Sequence, residues 1–463
     1  MRETLLFLKK HARIGVFSAL VAAAIWSIAL MNLDPASLSS AARNAQRRPT
    51  GSAQLVAVEP FPEMDGQYCE WLPASANFSL AAAQGSSAAD QEASAQELDR
   101  APVRAIRDTY PTYSAVAVDL ETDEVYLQDE NLFGYKVFNR LDNTPPNAAF
   151  TEPKRMVGGM NTKMEFNCAL YVDQNTGDVY SVNNDTVNTM VIFGRDAKGN
   201  VEPKRELRTP HGTYGIGADE VNQELYLTIQ HDNAVVVYKK IAEGNDDPIR
   251  LLQGDNTHLE DPHGITVDAK NNWIFVTNHG SVHDVRPDPD EPSQRANWPL
   301  DRDRAVPGSG RSEPPSISVY SRTATGDTAP LRVIEGPRTQ LNWPAALTVN
   351  MERGELYVAN DADHSVLVFR TSDSGNVAPT RIIKGPLTGI KNPTGVFLDT
   401  KNAELWVSSM GNHRATVYAL DANGNVAPKR TIRSAPQDKL ALAIGNPGAV
   451  SYDTKREEIL VPN

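Results

Sequence analysis

The chain repeats itself, and the repeat limits the fold more tightly than any other feature. Pro-x-Arg-x-aliphatic occurs seven times: PVRAI from Pro102, PKRMV from Pro153, PKREL from Pro203, PIRLL from Pro248, PLRVI from Pro330, PTRII from Pro379 and PKRTI from Pro428. A second element, an apolar run closed by Asp or Asn, also occurs seven times, from AVAVD ending at Asp119 to AVSYD ending at Asp453. A third follows each within a few residues, from EVYLQD to EILVPN, and a fourth alternating run (TMVIF, SVLVF and their kin) occurs six times. Alternating apolar runs bounded by turn residues spell half-buried antiparallel strands. Four such strands in a period of about 50 residues is the pattern of a propeller blade. Proline at the head of the fourth strand suits an outer edge, where no ladder donor is required. An arginine that recurs in every repeat reads as structural.

These elements predict an all-β, seven-bladed β-propeller over residues 101–463. A ring of this kind closes by giving one blade strands from both termini. PVRAI is an outer strand with no blade before it, and AVSYD and EILVPN are inner strands with no blade after them. The seventh blade is therefore expected to join them, closed by the N-terminal outer strand and lacking its third strand. Either AQLVAVE at 53–59 supplies that strand or the sequence is truncated after Asn463; truncation is the preferred expectation.

Ahead of the repeat, residues 14–31 form an uncharged apolar run preceded by Arg2, Lys9, Lys10 and Arg13. That is a signal peptide or signal-anchor helix within 1–35, and it predicts an exported protein, periplasmic or extracellular, whose contact with a membrane is through this segment alone. Cleavage and anchoring both stay open. Residues 36–100 read as a linker with a low-complexity Ala/Ser/Gln/Glu stretch. Cys69 and Cys168 are the two cysteines; export permits a disulfide between them, and no spacing pattern argues for or against it. A net charge of −13 offers no basic stripe for phosphates, which excludes nucleic acid as a partner.

ELYVANDADHSVLVF (355–369) and ELWVSSMGNHRATVY (404–418) resemble the second and third strands of NHL and YVTN-type propeller repeats, and PHGITVD, NPTGVFLD and NPGAVSYD resemble the first. The resemblance implies the fold and leaves the chemistry open, because such propellers include enzymes, scaffolds and binding modules.

In a blade with alternating strands, the connections between blades and those between second and third strands share one end of the ring. His211, His258 and His263 fall in the former; His231, His279, His283, His364 and His413 fall in the latter. All eight thus map to one end. The one long insertion, 279–315, starts there too and carries His283 and Trp298. Tyr214, Trp298, Trp343 and His283 are expected to contribute to a binding face. His211, His263 and His279, with His231 as a further ligand, are candidate metal ligands, since converging imidazoles suit zinc. Resemblance to the zinc-holding amidating lyases among NHL-type propellers implies the same use for His263. Related lactonases imply calcium instead, but no Glu stands at the heads of the first strands here. His364 and His413 read as turn residues, and the Asn and Asp that end the second strands read as caps on turns.

Two functions follow. The first is an exported binding or scaffold module that presents the histidine-bearing end to a protein, a glycan or a cell-envelope component. The alternative is a zinc-dependent lyase or hydrolase. Whether the chain is an enzyme stays open: it contains no nucleophile elbow, phosphate loop or dinucleotide fingerprint.

Overall fold

A computed structural model describes residues 104–108, 113–129, 132–184, 186–284, 295–299 and 306–433, with the backbone of two short strands at 451–453 and 458–460. Strand β1 (Arg104–Arg107) comes first. Blade 1 is β2 (Tyr113–Asp119), β3 (Glu124–Asp129), β4 (Gly134–Asn139) and β5 (Arg155–Gly158); blade 2 is β6 (Asn167–Val172), β7 (Val179–Asn183), β8 (Thr189–Phe193) and β9 (Arg205–Arg208). Blade 3 is β10 (Thr213–Asp219), β11 (Glu224–Ile229), β12 (Ala234–Lys239) and β13 (Arg250–Leu252). Blade 4 is β14 (Pro262–Asp268), β15 (Trp273–Asn278), β18 (Ser316–Ser321) and β19 (Arg332–Glu335), with the insertion's base paired as β16 (Ser281–Val282) and β17 (Arg311–Ser312). Blade 5 is β20 (Pro344–Asn350), β21 (Glu355–Asn360), β22 (Ser365–Arg370) and β23 (Arg381–Lys384); blade 6 is β24 (Pro393–Asp399), β25 (Glu404–Ser409), β26 (Arg414–Ala419) and β27 (Arg430–Arg433). Within every blade the strands pair antiparallel in chain order.

The described residues form six blades, not the expected seven. The inner strand β24 lies directly against β2: Thr394 Oγ1 donates to the Ser114 carbonyl at 3.0 Å, and Arg140 of blade 1 reaches Glu404 of blade 6 at 3.2 Å. Trp406 packs with Val116 and Val118 in a core shared by the two blades. Among the described residues, the expected inner strands of a seventh blade, β28 (Ser451–Asp453) and β29 (Glu458–Leu460), pair with each other and with no other strand. Residues 53–59, Cys69 and the N-terminal apolar run lie outside the described residues; Cys168 is buried at the head of β6.

The extra outer-strand motif has a different use. β1 runs parallel to β27, with Arg104 opposite Arg430 and Ile106 opposite Ile432, as a fifth strand on blade 6. Elsewhere a glycine before the next blade's outer strand makes that parallel contact: Val157 with Gly199, Leu207 with Gly244, Leu252 with Gly326, Ile334 with Gly375 and Ile383 with Gly424. The matching connection in blade 1, residues 140–154, contains no glycine. It is held by β1 instead, through Thr144 N–H to the Ala105 carbonyl (2.7 Å) and Thr151 N–H to the Arg107 carbonyl (2.8 Å). The N-terminal strand thus does close the ring, as a strap between blades 6 and 1 and not as part of a seventh.

The repeated arginine explains itself in the structure. From the outer strand it crosses the third strand to a Glu and an aromatic ring on the second. Arg155 binds Glu124 (3.0 and 2.6 Å) and the Tyr126 hydroxyl; Arg250 binds Glu224 and Tyr226; Arg381 binds Glu355 and Tyr357. Blade 4 has no Glu at that point, and Arg332 lies over Trp273 at 4.3 Å and donates to the Thr371 carbonyl. In blade 2, Arg205 keeps the Tyr180 hydroxyl and bonds the Ala242 carbonyl of blade 3. Where the Glu is present, its pairing with Arg overcomes the opposing effect of burial and holds the carboxyl below its usual range, down to about 2 for Glu124 and Glu404.

The Asn residues that end the second strands are caps, as expected. Asn183, Asn278 and Asn360 each accept the N–H of a residue in the connection leading into their own blade, namely Glu165, Glu260 and Asn342. This fixes the inter-blade connections at the histidine-bearing end.

Candidate functional site

Each inner strand begins with a one-residue bulge, at Tyr113, Asn167, Thr213, Pro262, Pro344 and Pro393. A bulge bends the strand and re-aims its side chains. Within the bulges of blades 3 and 4 stand Tyr214 and His263, on neighbouring inner strands. The strands meet closely here: a Cβ on Gly215 would lie 2.1 Å from the His263 carbonyl oxygen, which leaves glycine as the residue that fits.

Four rings form a row across three blades at this point, the last three stacked and Tyr214 tilted by 59° to His263. Tyr214 meets His263 with centroids 4.3 Å apart, His263 lies on His279 at 3.4 Å, and His279 lies on Trp343 at 5.1 Å. The row runs from the half-buried Tyr214 to Trp343, which is 56 % exposed. His211 and His231 stack on each other at 5.8 Å beside it, on blade 3 alone.

Burial keeps both central imidazoles neutral: it pushes His263 down to about 4, and it drives His279 well below its ordinary value with help from the neighbouring ring. The His263 Nδ1 sits 3.0 Å from the Asp261 carbonyl, an acceptor, so Nδ1 carries the proton and Nε2 the lone pair. The His279 Nε2 is buried with no partner among the described residues. Burial lifts the Asp261 carboxyl to about 7.

Asp261, His263 and His279 each bring a potential ligand atom within 4.8 Å of the others. The chemistry fits a cation: two neutral imidazoles and a carboxylate that no Lys or Arg pairs with among the described residues. The ring geometry does not fit without movement. Imidazole lone pairs lie in the ring plane, and His263 and His279 are stacked only 18° from parallel. An ion equidistant from both at about 2.0–2.1 Å would sit far out of both planes, so one ring must turn before both can ligate.

The expected ligand set is therefore redrawn. His263 and His279 come together and Asp261 joins them. His211 and His231 stand outside that group, although His231 is near enough to oppose a charge on His263. His211 Nδ1 bonds the Asn188 side-chain oxygen and His231 Nε2 faces the Gln230 amide, each at 3.1 Å. His283 stands at the base of the insertion, where its carbonyl accepts from Asn233 at 3.3 Å, and is not in the ring row. Trp298 is not placed at this end. Arg295 lies 3.7 Å over its ring and binds Asp247, while Asn297 binds the Pro248 carbonyl. Residues 245–248 connect the third and fourth strands of blade 3, so this part of the insertion is docked toward the opposite end. His364 and His413 have φ of 50° and 54° in turns, in keeping with their expected role.

Asp261 went unnoticed in the sequence, although a signal exists. The residue before the inner strand is left-handed in five blades: Phe166, Gly212, Asp261, Trp343 and Asn392 have φ between 44° and 70°. In three of them it precedes proline, as DP, WP and NP. Asp261 and Trp343 thus hold one repeat position.

The chain matches no protein-family model, and no curated protein is significantly similar to it. The likeness to NHL repeats accordingly rests on the quoted strands and on the propeller they build.

Proposed function

We propose that the chain is an exported binding propeller that uses the ring row Tyr214–His263–His279–Trp343 as a stacking platform for a glycan. The observation that carries this reading is Trp343. It is exposed, stacked on a buried imidazole, and held at φ 51°, where a bulky side chain is strained. Phe166, Gly212, Asp261 and Asn392 take the same left-handed position in blades 2, 3, 4 and 6, so the turn belongs to the repeat, and what sets Trp343 apart is its exposed ring. A platform with one exposed flat face and polar neighbours suits the apolar face of a sugar ring. The charged, then apolar, N-terminal segment supports export.

Trp343→Asn tests this. Relief of the left-handed strain is worth about 1 kcal/mol, so the variant should melt at the same temperature or slightly higher. Its affinity in calorimetric titration against a panel of neutral oligosaccharides should fall at least about tenfold. A panel with no binder, or a variant that binds as the parent does, rejects the glycan platform.

A second reading has its own observation, the Asp261–His263–His279 cluster. In a zinc centre these three would hold the ion, and the ion would polarise a carbonyl or acidify a bound water. Metal content of the purified protein after dialysis with zinc separates the two readings. One zinc per chain, lost in both His263→Ala and His279→Ala, favours the metal centre; none retained leaves the stacking platform.

A further inference from the structure

Between blades 5 and 6, at the same end of the ring, lies an open cleft of about 440 Å³ lined by Asp363, His364, Lys384, Lys391, Asn412 and Arg414. That volume is within the range of small-molecule sites. On a chain of net charge −13, its lining is basic.

Arg414 is the unusual residue. It opens β26, the third strand of its blade. The corresponding residues are Gly134, Thr189, Ala234, Ser316 and Ser365, all small. In blades 2, 4 and 5 the hydroxyl at this point accepts from the capping Asn: Asn183 to Thr189 (2.9 Å), Asn278 to Ser316 (3.1 Å) and Asn360 to Ser365 (3.1 Å). In blade 6 both partners differ, as Ser409 and Arg414. The blade architecture thus has no use for a guanidinium here. Arg414 is half-buried, burial draws its pKa down, and among the described residues no carboxylate is within ion-pair reach of it. Room for it comes from Gly389 at φ 67°, where a Cβ would stand 3.2 Å from Nη1.

The neighbours complete a donor set. Lys391 is exposed and has no ion pair among the described residues, whereas Lys384 is engaged by Asp363 at 2.6 Å. The His364 Nδ1 accepts the Asn392 N–H at 3.1 Å, so its Nε2 carries a proton. Asn412 donates to the Gly389 carbonyl at 2.8 Å, and its side-chain oxygen is buried without a partner among the described residues. Buried polar atoms of this kind cost free energy until a ligand or water satisfies them.

We propose that this cleft is an oxyanion subsite for a small hydroxylated anion, with Arg414 as its anchor. The guanidinium fork takes the carboxylate or phosphate oxygens in pairs. Lys391 and His364 approach the same group from blades 6 and 5, and the Asn412 oxygen accepts a hydroxyl beside it. The subsite stands on residues apart from the ring row and does not depend on the glycan reading.

Calorimetric titration of the full chain with D-glucuronate, glucose 6-phosphate and glucose tests it. At least one of the two anions should bind one to one and glucose should not; whichever anion binds tells carboxylate from phosphate. Arg414→Ser restores the residue of blades 4 and 5, so folding should persist, and affinity should fall about tenfold to a hundredfold. Lys391→Ala, at an exposed position, should weaken binding several-fold and serves if the first variant misfolds. Failure of both anions to bind below about 10 mM, or parental affinity in both variants, overturns the proposal.

Discussion

Glu404→Ala is expected to lower unfolding stability by about 3–5 kcal/mol, the range for removing one partner of a buried ion pair. Glu404 is where the ring's two ends are bonded. Its side chain is 3 % exposed and receives Arg430 and Lys429 of its own blade and Arg140 of blade 1. Alanine strands two guanidiniums that are 6 % and 10 % exposed. Arg140 then has Asp123 at 3.4 Å and Asp399 at 3.9 Å, neither aligned as a hydrogen bond. Glu355→Ala is the control. Its cationic partners, Arg353 and Arg381, are 40 % and 17 % exposed and can be rehydrated, and neither comes from another blade. Denaturant unfolding of both variants should show the larger midpoint shift for Glu404. Equal shifts would mean that the contact between blades 1 and 6 adds nothing.

Removing β1 is expected to be worse than removing the C-terminal strands. A chain starting at residue 109 loses four parallel pairings with β27, both backbone bonds to 140–154, and Arg107, whose guanidinium bonds the Pro145, Ala148 and Ala149 carbonyls. It also loses Asp108, which accepts from buried Lys136 and the Tyr113 hydroxyl, each at 2.7 Å. Leaving such donors buried costs about 1–3 kcal/mol apiece, so the first blade should fray and the melting temperature should fall by well over about 10 °C. A chain ending at Arg433 keeps all six blades and should melt within a few degrees of the parent. Collapse of that second truncation, with survival of the first, would restore the seventh blade.

Strand order, blade boundaries and the structural arginines were legible because each is written several times over. The blade count was not. Counting copies of PxRxI assumes that every copy builds a blade of its own, but Arg104–Arg107 of the first copy pairs with Arg430–Arg433 of the last. The sequence correlate is the absence of glycine from 140–154, a weak signal against seven strong ones. At the site, PHGITV and TNHG brought His263 and His279 to attention. His211 lies outside its strand while His263 lies within one, so the two similar tripeptides end up in different places. Trp298 was assigned by where its loop begins, and a long insertion need not stay at that end. Asp261 and Arg414 become visible only when blades are aligned by register.

The five glycine bridges and the β1 strap bear on self-association. An outer strand with a free edge is a template for another chain. Here the outer strand of every described blade has part of its edge claimed, by the following blade or by β1. A neighbouring molecule must displace one of these before it can add a strand, so the propeller's resistance to stacking is built into its backbone and would survive at high salt, where charge repulsion fades.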